Sequence, residues 1–166
     1  MKASAVKAGP TAAAQSHPLS GRGLAPRSSV MSVRRAIHEA ESLLPGEPAA
    51  VGEDPRWQAI IAVGNYIERE PEAVWGFISR WGGHPQEDLR DAIATCLLEH
   101  LLEYHFAAYF PQVEERALAE PLFGDTFLRC WRFGQSEEPG NVERFEVLSK
   151  RLREGKPASR EGGHER

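Results

Sequence analysis

Glu99-His100-x-x-Glu103-x-His105 gathers the residue types best suited to chemistry in this chain. Imidazoles and carboxylates this close together are the raw material of a metal centre or an acid–base pair. Their spacing argues against a single ion. On one helix, His100 and His105 point about 140° apart, so they do not converge. Neither the HExxH nor the HxxEH arrangement is present. His100 and Glu103 are i, i+3 neighbours within hydrogen-bonding reach. The reading that follows places both histidines beside an apolar face centred on Leu97 and Leu101, satisfying polar groups where helices meet. The alternative is a metal-binding or hydrolytic centre on His100, Glu103 and His105, completed by His84 or by acids from elsewhere. No cofactor is expected.

Two further constellations stand near it. Asp88, Asp91, Glu99 and Glu103, with Thr95 between them, form an acidic stripe on the helix side opposite Leu97. Such a stripe is a solvated face by default. Its functional counterpart is a surface for a basic protein partner. Phe123, Phe127 and Trp131 lie at i, i+4 and i+8, which predicts a core stripe, with Phe133 following. Arg129 and Arg132 flank Trp131 on another side, a pair able to clamp a carboxylate or phosphate if Asp125 does not engage them first. Cys96 sits among apolar neighbours and reads as inert; Cys130, between two arginines, reads as the more reactive thiol. No GxSxG, Walker or Rossmann pattern occurs.

Charge bounds the partners. Residues 1–38 carry six Lys/Arg and no acid, residues 39–150 carry nine against 21, and residues 151–166 carry five against three. The central acidic region repels phosphate backbones, so nucleic acid is not the expected partner. No run approaches the roughly 20 apolar residues of a membrane span. Two cysteines without a CxxC pair fit a reducing, cytoplasmic setting. Residues 1–31 are rich in Ala, Ser, Gly and Pro and read as a disordered basic leader, with an organelle transit segment or a start at Met31 as other readings. Residues 153–166 read as a disordered polar tail, leaving 32–152 as the folded domain.

Within that domain the pattern is all-α. Ser32 caps a helix over 33–44, and Val33, Ile37, Ala40 and Leu44 share a face. Asp54-Pro55 opens a second helix that runs to Glu68, with Trp57, Ile60, Ile61, Gly64 and Ile67 at helical spacing. Pro71 opens a third, ended by Gly82-Gly83. Pro85 opens a long helix that Pro111 ends near Tyr109. Short helices follow over 111–119, from Pro121 to Gly134 with Leu122 inward, and over 140–152.

Glu53-Asp54-Pro55, Glu87-Asp88-Leu89 and Glu120-Pro121-Leu122 recur at steps of 34 and 33 residues. That period predicts three stacked antiparallel helical hairpins, 54–81, 86–119 and 120–152, preceded by one helix. The segment Glu87-Asp88-Leu89-Arg90-Asp91-Ala92-Ile93-Ala94-Thr95-Cys96-Leu97-Leu98 resembles the second helix of a HEAT-type repeat: an acid, an aliphatic-Arg pair, small residues, then Leu. The resemblance covers about one repeat; Trp57 and Gly64 in the first hairpin and Phe123-Gly124-Asp125 in the third depart from it. It implies an α-solenoid scaffold with a binding role, and an ion pair from Arg90 to an acid of an adjacent hairpin, Asp54 or Asp125. The central segment is also similar to uncharacterised bacterial proteins. The expectation is a non-catalytic interaction module with one protein partner. A small-molecule sensor with a pocket lined by Trp75, Trp81 and Trp131 is a further alternative.

Overall fold

Helix α1 (Val33–Leu43) begins where Ser32 accepts the Arg35 amide at 3.4 Å, and α2 (Pro55–Gly64) begins where Asp54 accepts the Arg56 amide at 2.8 Å. Each cap satisfies one of the amides a helix start leaves without a partner. Helix α3 (Pro71–Trp81) starts on a proline and stops at Gly82. A Cβ on Gly82 would lie 2.7 Å from the Phe123 ring, and its carbonyl accepts the Thr126 hydroxyl at 2.5 Å. Only glycine permits that approach. The computed structural model describes residues 32–49 and 52–155. The expected leader over 1–31, the choice of start at Met31 and residues 156–166 of the expected tail lie outside the described residues.

The long central helix departs from the sequence reading. Helix α4 (Glu87–Ile93), a π-helical stretch (Ala94–Leu98) and α5 (Glu99–Ala119) run on without the expected break before Pro111. Pro111 lies inside α5, and the helix bends at His105, where φ is −137° and ψ is 36°. Proline offers no amide to the carbonyl four residues back, and its ring crowds that carbonyl. The bend falls earlier because its broken backbone bonds find a partner there. Gln135 donates through Nε2 to the Tyr104 carbonyl at 2.7 Å and accepts the Phe106 amide through Oε1 at 2.9 Å. One side-chain amide bridges both edges of the kink.

Two more helix ends move. Helix α2 stops at Gly64, short of Glu68, and continues as tight turns through Arg69. Helix α6 (Pro121–Phe127) stops seven residues before Gly134. The chain then leaves the helix axis, passes through a 3-10 turn (Gly134–Glu137) and enters α7 (Pro139–Glu154). Arg153 and Glu154, assigned from sequence to the tail, belong to α7.

Among the described residues all regular structure is helical. Helix α1 packs chiefly on α2, so α2 has α1 rather than α3 as its main neighbour. Helix α2 also meets α4 and the π stretch, α4 meets α6, and α5 meets α6 and α7. The core contains Val74, Phe77, Ile78, Leu97, Phe106, Phe110, Phe123, Phe127 and Leu148. Phe106 stacks on Phe110 at 4.4 Å, and Phe127 meets Phe145 at 4.5 Å. Arg144 covers the first pair, 4.7 Å from the Phe110 ring. Ile61 and Leu122, expected inward, are exposed. Their helices face the core through Ile60 and Val63 and through Phe123 and Phe127.

Candidate functional site

Three arginines tie the helices together. Arg56, 3 % exposed, bonds Asp54, the Gln86 side chain and Asp88, and its Nη1 donates to the Gly46 carbonyl at 3.0 Å. Arg90, 6 % exposed, bonds Asp125 at 3.1 Å and donates to the His84 and Pro85 carbonyls, each at 2.8 Å. The two arrangements match. Each guanidinium caps the preceding connection, Arg56 at one carbonyl and Arg90 at two, and reaches an acid on the next helix of the series α2, α4, α6. Of the acids named from sequence, Arg90 takes Asp125, while Asp54 serves Arg56. Its hydrogen bond to Arg56 holds the Asp54 carboxyl below the usual range. Arg129 gathers Glu87 at 2.8 Å, Asp125 at 2.9 Å and Asp91. Those three carboxylates push its guanidinium pKa further up.

This network consumes much of the acidic stripe. Asp88 and Asp91 are paired with Arg56 and Arg129 and do not stand as free charges. Glu99, read as solvent-facing, is 6 % exposed. The segment 131–137 crosses that side of the helix and covers it. Glu99 Oε2 accepts the Trp131 amide at 2.9 Å. Phe133 stacks on His100 at 6.0 Å. Gly134, at φ +49°, sits so close that a Cβ would lie 2.9 Å from the Glu103 carbonyl oxygen. Burial pushes the Glu99 carboxyl up, opposed by the Trp131 amide.

His100 and His105 part company here. His100 Nδ1 lies 2.7 Å from Glu103 Oε2, and its Nε2 is 4.0 Å from Glu99 Oε1. His105, at the kink, bonds the Ile67 carbonyl at 3.1 Å instead. Among the described residues no group of three or more His, Cys, Asp or Glu is arranged to hold a metal ion. His100 borders a cleft of about 410 Å³ with Cys96, Tyr104, Thr95 and Asn65. Cys96, His100 and Tyr104 share that wall at four-residue steps. Burial pushes the Cys96 thiol up, so it is not poised as a nucleophile.

Cys130 is likewise no activated thiol. It donates to the Ala94 and Thr126 carbonyls, and burial drives its pKa well up. Trp131 leaves the predicted core stripe altogether because α6 ends at Phe127; it is 72 % exposed. Arg129 is drawn away into the acid network. Arg132 pairs with Glu146 at 2.9 Å, and with Trp131 it borders a cleft of about 640 Å³ that Lys150 and Arg153 of α7 also line. Proximity to Lys150 and Arg153 was not legible, since it depends on where α7 packs. Trp75 packs on Tyr109 and Phe123, and Trp81 on Phe77 and His84; neither borders the Trp131 cleft.

No described helix is long and apolar enough to cross a membrane. No protein-family model, curated protein or solved structure matches the chain.

Proposed function

We propose that the chain is a HEAT-like helical interaction module that engages one protein partner in the cytoplasm. In this reading α1–α2, α3–α4 and the second half of α5 with α6 are successive hairpins, one helix out of step with the pairing read from the 34-residue period. The observation that carries it is the repeated guanidinium link, Arg56 to Asp88 and Arg90 to Asp125. Links of one kind between successive helices are what a stack needs, because each hairpin buries its face only against a neighbour. The two free thiols accord with a reducing compartment. A basic partner along Asp91, Glu99 and Glu103 has less support, since those acids are engaged by Arg129, Trp131 and His100. The metal or hydrolytic alternative keeps His100 and Glu103 but not His105.

The test is affinity capture with the tagged full chain in extract of its native host. One defined partner should be retained and should co-migrate with the chain in gel filtration. A chain that migrates alone, retains nothing and turns over a hydrolytic substrate would replace this reading with an enzymatic one.

A further inference from the structure

Among the described residues Trp131 is the most exposed of the large hydrophobic side chains, yet its backbone is anchored. Its amide is bonded by a buried carboxylate, Glu99. Burying a carboxylate opposes folding unless something is gained, and here it fixes one backbone position. Two residues on, the chain is held by the Phe133–His100 stack and by Gly134 against Glu103. Arg132 is held between Glu146 and the Phe145 ring, 6.0 Å away. The indole therefore projects into solvent from a rigid support. An aromatic side chain presented this way loses little conformational entropy when it binds, and Trp and Arg are the residues enriched at the energetic centres of protein interfaces.

The adjoining cleft states the sign of the partner. Phe145 and Ser149 line its buried part, and Arg132, Lys150 and Arg153 its rim, with Glu137 and Glu146 as the acids. Glu146 is neutralised by Arg132, and Lys150 has only a loose exposed contact with Glu154 at 3.8 Å. The lining thus carries three basic side chains against two acids, one positive charge in excess, on a folded region that is otherwise strongly acidic. We infer that Trp131 and this cleft form the docking site for an acidic peptide segment of another protein, with an apolar side chain set against Trp131 and Phe145 and carboxylates against Lys150 and Arg153. This rests on the interaction reading above and names the partner's chemistry.

Random peptides displayed on phage, selected on the full chain and counter-selected on Trp131→Ala, test it. The expected result is enrichment of sequences with Asp or Glu around an aromatic or aliphatic residue. A fluorescein-labelled peptide of the enriched sequence should then lose about tenfold or more in affinity for Trp131→Ala and for Lys150→Glu/Arg153→Glu. Its Lys-substituted counterpart should bind the doubly reversed chain better than the original. Circular-dichroism melts of both variants near wild type establish that the loss is not unfolding. No enrichment, enrichment of basic sequences, or affinities unmoved by these substitutions would overturn the docking site. A host partner captured equally by wild type and Trp131→Ala would sink the site while leaving the interaction reading standing.

Discussion

Arg90 and Arg69 differ at the scale of one side chain. Arg90 is buried against Asp125 and two carbonyls, whereas Arg69 is exposed in the turn after α2. Removing Arg90 strands two carbonyls and leaves the Asp125 carboxylate to Arg129 alone. Arg90→Ala should cost roughly 2–4 kcal/mol, somewhat below a fully buried pair because Asp125 is partly solvated. Arg69→Ala should stay within about 0.5 kcal/mol. Equal small losses in chemical denaturation would remove Arg90 from any structural role. Glu99 makes a prediction of the opposite sense. Its folded pKa is raised, so the native state holds the proton more tightly than the unfolded chain. The stability tied to this group is therefore complete below the ordinary value of 4.5 and is lost as pH rises through the folded value. Glu99→Gln keeps an oxygen for the Trp131 amide and removes the charge. It should match or exceed wild-type stability at pH 7, and its advantage should shrink toward pH 4. Melting curves across that range check it; a constant offset would count against the buried charge.

At the scale of elements, what is local was legible and what depends on a distant residue was not. Ser32, Asp54-Pro55 and Pro71 mark helix starts because a cap acts on its own first turn. The Arg90 ion pair was expected only through the resemblance, with Asp54 or Asp125 left open as its acid, and the same Asp-x-Arg spacing at Asp54 and Arg56 was signal enough to expect Arg56 buried too. The kink is different. Pro111 announces a bend, but Gln135, 31 residues beyond Tyr104, decides where it falls. The burial of Glu99 has the same origin, since the covering segment comes from beyond α6. Gln135→Ala should therefore cost about 1–3 kcal/mol, the usual effect of leaving a backbone donor unsatisfied. Hydrogen exchange at the Phe106 amide should rise with it. Gly134→Ala should cost at least about 1 kcal/mol, because its positive φ and the nearby Glu103 carbonyl both reject a Cβ. If Gly134→Ala is neutral, the crossing segment does not lie where it is described.

Over the whole molecule the arginine links act in series. Arg56 joins α2 to α4, and Arg90 joins α4 to α6. If the helices form a stack, cooperative melting depends on those joints. Wild-type unfolding followed by circular dichroism and by tryptophan fluorescence should coincide, whereas Arg90→Ala, cut in the middle, should separate the two curves. Coincident curves in the variant would mean that the apolar core alone couples the ends. The series also has a direction, and that matters while the chain is being made. Arg56 meets Asp54 within its own helix start as soon as both have emerged. Arg90 must wait for Asp125, 35 residues later. At ordinary rates of synthesis that is roughly 2–7 s. For that interval the nascent chain carries a cation whose native carboxylate does not yet exist, although its two carbonyl partners do. Phe123 ends the sequence of debts: it stands where the earlier openings place arginine, and its ring meets Trp75, made long before it.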